Sequence, residues 1–226
     1  MSSHLLYFIR LKSVIIQTRQ LYSERQKAMS YSEFTLKKVK QDFQLTLIEV
    51  PTFIVSAPPI QPSPALAEFI EKRLPLALAL NTEKARSEMI ICPILLELKD
   101  IFNQQISLFS GNDFTVDQSV GLNGVCDFLI SKSPEQLFIE APAMIVVEAK
   151  KEDINGGLGQ CVAEMIAAQR FNEKNGDFVD KLYGCVTTGN LWKFIKLEEQ
   201  TVTIGLREYS LPPVDEILGI LVSFIT

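Results

Sequence analysis

The run Met144-Ile145-Val146-Val147-Glu148-Ala149-Lys150 constrains this chain more than any other stretch of it. Its short, β-branched apolar stretch has the composition of a buried strand, yet it ends in a carboxylate and an ammonium. Successive side chains of a strand point to opposite faces, so Glu148 and Lys150 emerge on the same face. A second apolar run, Gly124-Val125-Cys126-Asp127-Phe128-Leu129-Ile130, holds one acid, Asp127, in its middle. Charges set in such runs are costly to bury without partners. If the two strands pair, Asp127 comes beside Glu148, and two carboxylates that close repel unless a proton or a cation sits between them. Magnesium suits that place, because it takes one or two protein carboxylates and fills the rest of its shell with water and phosphate oxygens. Manganese, which favours the same oxygen ligands, can replace it. A lysine on the same face can hold a phosphate and offset charge that develops on it, so the expected chemistry is phosphodiester hydrolysis. The plain alternative for a Glu-Ala-Lys triplet at a strand end is a surface salt bridge.

The rest of the chain provides a frame for those strands. With 226 residues it can form one large domain, or a medium one with an appendage. Residues 1–28 have no clear core pattern and precede a second methionine, Met29. They read either as a basic, loosely ordered arm or as an upstream start that adds residues the domain does not need. Residues 29–62 read as a strand and linker extension. Within them the apolar positions Phe34, Leu36, Val39, Phe43, Leu45 and Leu47 suggest extended structure with a hairpin near Gln41-Asp42, and the proline cluster from Ala57 to Pro64 breaks it off.

The main domain then spans 63–226. Ser63 caps a helix with Pro64 in its first turn, and Pro75 is expected to end or bend that helix. A second helical stretch covers Glu83 to Phe102, with Glu88, Ile91, Leu95 and Leu98 on one stripe and a kink or restart at Pro93. Strands are expected at 106–109, 114–116, 124–130 and 143–149, then a helix at 157–172 with Leu158, Val162, Met165 and Ile166 as its apolar face. Further strands follow at 182–188, 192–197 and 201–206, with a turn at Gly189-Asn190 and a closing helix at 213–225. Helix, strands, helix, strands is the order of an α/β (α+β) domain with a central mixed sheet flanked by helices.

Charge and cysteine usage narrow the function. The net charge of −5 argues against a protein that coats nucleic acid by bulk electrostatics. The basic residues concentrate early, with eight Lys or Arg against two Glu in residues 1–40, so any polyanion contact must be local. Cys92, Cys126, Cys161 and Cys185 are scattered through apolar runs and His4 is the sole histidine, which suits buried thiols better than zinc or disulfides. No run is long and apolar enough to span a bilayer, and the start of the chain makes a poor signal peptide, so a cytoplasmic protein is expected. Three further signals have commoner structural readings. Gly156-Gly157-x-Gly159 suits a flexible helix start, Trp192 a core aromatic rather than a base-stacking platform, and Lys37-Lys38-x-Lys40 a solvated face.

Asp127 on one strand and Glu148-Ala149-Lys150 on the next resemble the motif of the PD-(D/E)xK nuclease superfamily, whose fold is restriction-endonuclease-like. The resemblance covers about residues 83–197. It extends to Glu88 in the helix before the sheet, to Gln160 in the helix after the lysine, as in the nuclease domains of type I restriction enzymes, and to the run from Tyr183 to Phe194. It departs from the pattern at Cys126, where the name-giving proline would stand, and at Glu164, where the Q-x-x-x-Y variant has tyrosine. The resemblance implies a magnesium-dependent nuclease acting on DNA ahead of RNA. Asp127, Glu148 and Glu88 would be metal ligands, Lys150 would position water or phosphate, and Gln160 would orient the lysine or the substrate. It also implies a homodimer or a larger restriction- or repair-type complex as the working form. The competing reading is a catalytically inactive nuclease-fold module that binds a protein or nucleic-acid partner.

Overall fold

The computed structural model describes residues 29–54 and 57–226; the basic stretch 1–28 lies outside them. In chain order the elements are α1 (Leu36–Asp42), β1 (Thr46–Val50), α2 (Pro64–Leu80), α3 (Glu83–Arg86), a π-helical turn (Ser87–Ile91) and α4 (Cys92–Ile101). There follow β2 (Ser107–Asp113), β3 (Val125–Ser131), β4 (Ala143–Ala149), α5 (Ile154–Asn175), β5 (Leu182–Thr187), β6 (Leu191–Glu198), β7 (Thr201–Gly205), β8 (Tyr209–Ser210) and α6 (Asp215–Ser223). The strands form one mixed sheet ordered β1-β7-β6-β5-β4-β3-β2, with β8 paired to β6. The β4–β5 and β1–β7 pairs are parallel and the others antiparallel. This is the expected α/β class, a mixed sheet with helices on both faces.

Strand β4 lies inside the sheet, and alternation along it feeds two cores. Val146 joins the apolar layer that includes Leu158, Val162 and Ile166 of α5. Ile145 and Val147 join the opposite layer, with Leu95 of α4, Trp192 of β6 and Ile217 of α6. Apolar residues on both faces are what an uninterrupted run such as 144–147 requires.

Local signals explain most helix ends. The Ser63 hydroxyl accepts from the N–H of Leu66 at 3.2 Å, and Asn81 ends α2 in the left-handed conformation. Pro75 does not end that helix. It lies on the exposed side with Glu71, so water can satisfy the carbonyl that the missing N–H would have taken. Before Pro93 the chain widens instead of breaking. The N–H of Cys92 reaches the carbonyl of Ser87, and Pro93 then falls in the first turn of α4, where no N–H is needed.

The segment expected to be a hairpin from Phe34 to Val50 is a helix followed by one strand. Leu36, Val39 and Phe43 are spaced at three and four residues, a helical repeat, and Thr35 caps it by accepting from the N–H of Lys38 at 3.2 Å. Only residues 46–50 are extended, pairing with β7 at the sheet edge. Trp192 is a core residue whose indole N–H donates to the carbonyl of Gly189 at 2.7 Å, so it is no stacking platform. Cys126, Cys161 and Cys185 are buried thiols and Cys92 is half-buried.

Helix α5 is covered on two sides, by the sheet and by the segment around α1. A Cβ on Gly159 would fall 2.3 Å from the carbonyl oxygen of Phe34 and 2.4 Å from the carbonyl carbon of Thr35. Gly159→Ala should therefore destabilise the chain by about 1–3 kcal/mol, although alanine favours an isolated helix over glycine by about 1 kcal/mol. Urea midpoints read the difference, and a midpoint equal to or above that of the wild type would contradict this backbone contact.

Candidate active site

The antiparallel register of β3 and β4 pairs Phe128 with Val147, which sets Asp127 beside Glu148 on the next rung. One Asp127 oxygen, Oδ2, accepts from the N–H of Ala149 at 2.9 Å. Glu148 is buried, and its Oε1 lies 2.5 Å from the Lys150 ammonium, whose side chain is 26% exposed. Lys150 is reached from solvent where β4 ends, outside the carboxyl ends of the parallel strands β4 and β5, where open α/β sheets commonly bind ligands. Its aliphatic stem lies on α5. A Cβ on Gly157 would come within 3.1 Å of Lys150 Cγ and Cε, so glycine there leaves the lysine its channel.

From Lys150 the contacts continue into α5. The ammonium donates to Gln160 Oε1 at 3.3 Å, and Gln160 Nε2 donates to Glu164 Oε1 at 3.1 Å. Glu164 is fully buried. Two carboxylate oxygens, Glu148 Oε2 and Glu164 Oε2, are buried without a hydrogen-bond partner.

The titration behaviour follows from this burial. Burial, with the charge of Asp127, pushes Glu148 up to about 8, against the pull of Lys150. Burial raises Asp127 too, held back by the Ala149 N–H and by Lys150. For Lys150 burial acts downward, but Glu148, Glu83 and Asp127 outweigh it and its affinity for a proton is raised. The two partners of one ion pair thus respond differently. Glu148 lies deep, where desolvation wins, whereas the partly exposed Lys150 gains more from the attraction than it loses. Glu164 is pushed well above the usual range by burial and then by the charge of Glu148.

Asp127, Glu148, Lys150 and Gln160 are brought together, and Glu88 is not. Its side chain is exposed, with Lys84 3.4 Å away. The π-helical turn is the reason. It inserts extra residue length between Glu88 and the stripe of Ile91, Leu95 and Leu98, which rotates Glu88 out of line. On that side of the sheet the acid felt at Glu148 and Lys150 is Glu83, in the first turn of α3. Glu164 is the other residue a one-stripe reading of α5 passes over, because it lies off the face of Leu158, Val162 and Met165. Gly156, Gly157, Gly159, Ala163, Ala167 and Ala168 carry the missing signal, since a helix that is small or apolar all round is buried all round.

Among the described residues no group of three or more His, Cys, Asp or Glu is arranged to hold a metal ion. Two carboxylates are nevertheless enough for magnesium when water and phosphate oxygens complete the shell, and the orphaned Glu148 Oε2 beside Asp127 is chemically suited to a cation. Among those residues, too, no helix is long and apolar enough to cross a membrane. Compared with protein-family models, with curated proteins and with solved structures, the chain has no match.

The shift at Glu148 has a measurable sign. Below about pH 4.5 its carboxyl is protonated both folded and unfolded; from there to about 8 only the unfolded chain releases the proton, so folding loses stability as pH rises. With EDTA present, wild type should fall relative to Glu148→Gln by up to about 1.4 kcal/mol per pH unit across that window. The difference should level off above it. Urea midpoints at several pH values read the slope, which the lost Lys150 contact offsets but does not tilt. Parallel curves would mean that Glu148 ionises normally in the fold.

Proposed function

We propose that this chain is a magnesium-dependent nuclease that hydrolyses phosphodiester bonds of DNA, ahead of RNA, with a restriction-endonuclease-like core of the PD-(D/E)xK type. The observation that carries the reading is a buried Glu148 with one oxygen on Lys150, the other without a partner, and Asp127 on the adjoining rung. In this reading Asp127 and Glu148 hold the ion. When bound, the ion supplies Lewis-acid polarisation of the phosphate and lowers the pKa of water, with manganese as a substitute. Lys150 reaches solvent from a fixed place and can grip a substrate phosphate, offsetting the charge that builds up during attack. Gln160 holds the lysine ammonium from the side of α5. Glu88 has no part in the proposed ion site, since its exposed carboxylate faces Lys84.

Cleavage of both strands of a duplex by one site per chain calls for a second copy or a larger assembly, which is the partner arrangement proposed. A second reading, an inactive module that keeps the fold and binds a protein or nucleic-acid partner, draws on two features. Glu148 already has a cation in Lys150, and no third acid completes a ligand group among the described residues.

Supercoiled plasmid, linear duplex and single-stranded DNA, incubated with magnesium or manganese, separate the two readings. The wild type should cut at least one of them and EDTA should stop it. Asp127→Ala and Lys150→Ala should each lose at least about 100-fold in rate. Equal cleavage by all three proteins would mark a contaminant. No cleavage, together with no Asp127-dependent magnesium binding in calorimetry, would leave the interaction module.

A further inference from the structure

We propose that Glu164 is a positioning residue, which fixes the Gln160 amide so that its carbonyl oxygen faces Lys150 and holds that ammonium beside Glu148. The kinetic part of this proposal rests on the nuclease reading above; the geometric part does not. A carboxyl group in an apolar core is expensive unless its surroundings use it. Glu164 is fully buried, and among the described residues its one hydrogen bond is to Gln160, one helical turn earlier on α5.

The chemistry of the two groups flanking Gln160 selects one orientation of its amide. An ammonium has three donors and no acceptor, and Glu164, whose burial favours the protonated form, still keeps a carbonyl oxygen that accepts. With the NH2 end on Glu164 Oε1 at 3.1 Å, the carbonyl end faces the Lys150 ammonium at 3.3 Å, and both contacts are donor to acceptor. Turned over, the amide would set NH2 against NH3+ and leave the ammonium without its acceptor on the α5 side. The contact with the ammonium would then repel. An apolar residue at 164 removes the partner of the NH2 end and frees the amide to rotate. Lys150 then loses its anchor on the α5 side and keeps only Glu148.

Glu164 acts through Gln160, its one hydrogen-bond partner among the described residues. The hydrogen-bonded order Glu164–Gln160–Lys150–Glu148 therefore runs from the core to the strand end, and only its outer part would meet substrate.

The test uses the full chain with Glu164→Leu, Glu164→Gln, Gln160→Leu and the double variant Gln160→Leu/Glu164→Leu, all checked by thermal melting. On the DNA substrate that the wild type cuts best, with magnesium, Glu164→Leu should lower kcat by about 10- to 100-fold with KM little changed. Gln160→Leu should match it, and the double variant should be no worse than the poorer single one. Glu164→Gln, whose carbonyl still accepts from Gln160, should recover kcat to within about twofold of wild type. Losses that multiply in the double variant, a Glu164→Gln as damaged as Glu164→Leu, or wild-type kcat in Glu164→Leu would each overturn the proposal. If Glu164→Leu does not fold, Glu164→Met takes its place.

A second readout does not depend on cleavage. The 15N resonance of the Lys150 ammonium should move alike in Glu164→Leu and Gln160→Leu and stay in place in Glu164→Gln. A wild type that cuts no DNA would remove the nuclease reading while this measurement still decides the positioning role. A Lys150 signal unmoved by Glu164→Leu overturns it.

Discussion

A buried carboxylate at the end of an interior strand is the constraint around which this molecule is organised. Glu148 is 1% exposed, on a strand whose other residues are almost wholly apolar. Left alone it would be neutral or would open the core to water. Its environment divides the problem. Lys150 meets one oxygen, while Asp127 raises the carboxyl further by adding a second negative group on the neighbouring strand. Such an arrangement favours the uncharged or cation-bound form over the bare anion. The second acid therefore makes poor sense as a device for stability alone and better sense if a cation is at times present.

The sheet supplies precision that a loop could not. Asp127 and Glu148 come from adjacent antiparallel strands, so their separation is set by backbone hydrogen bonds on both sides. Lys150 follows where β4 ends, with its N–H on the carbonyl of Thr187 at 2.8 Å, so the parallel neighbour β5 fixes even the first residue beyond the strand. Apolar residues on the opposite face of β4, Ile145 and Val147, take no part in the polar cluster. Two-faced burial lets one strand anchor the core and carry the site together, because alternation keeps the two roles on separate sides.

Legibility in the sequence followed the same division. The range of β4 could be read to the residue, because a β-branched run flanked by Pro142 and charge has few other readings. Glu148 and Lys150 fell on one face by period two alone, and Asp127 joins them through the pairing of β3 with β4. The N-terminal region misled, since Phe34, Leu36, Leu45 and Leu47 contain steps of two that hide the helical spacing of Leu36, Val39 and Phe43. Glu88 misled for a subtler reason. Spacing arguments assume a constant number of residues per turn, and the π-helical turn at Ser87–Ile91 breaks that assumption where it matters. Gln160 and Glu164 could not be placed by a single stripe, because α5 has two buried sides and a hydrophobic face identifies only one of them.

That second buried side ties the N-terminal region to the site. Gly157, Gly159 and Gln160 are near neighbours on α5, and they face three different walls: the Lys150 stem, the backbone at Phe34–Leu36, and the Lys150 ammonium. The depth at which α5 sits is set from outside by the segment 34–36 pressing on Gly159, and from inside by the sheet beneath Gly157. Neither contact leaves room for a methyl group, so α5 cannot rise without losing one or sink without a clash at the other. Gln160 projects from this doubly held stretch, and a side chain can hold a lysine in one place only if its own backbone is held. The helix ahead of β1 lies far from β4 in sequence, yet it completes the packing on which the Lys150 contact depends.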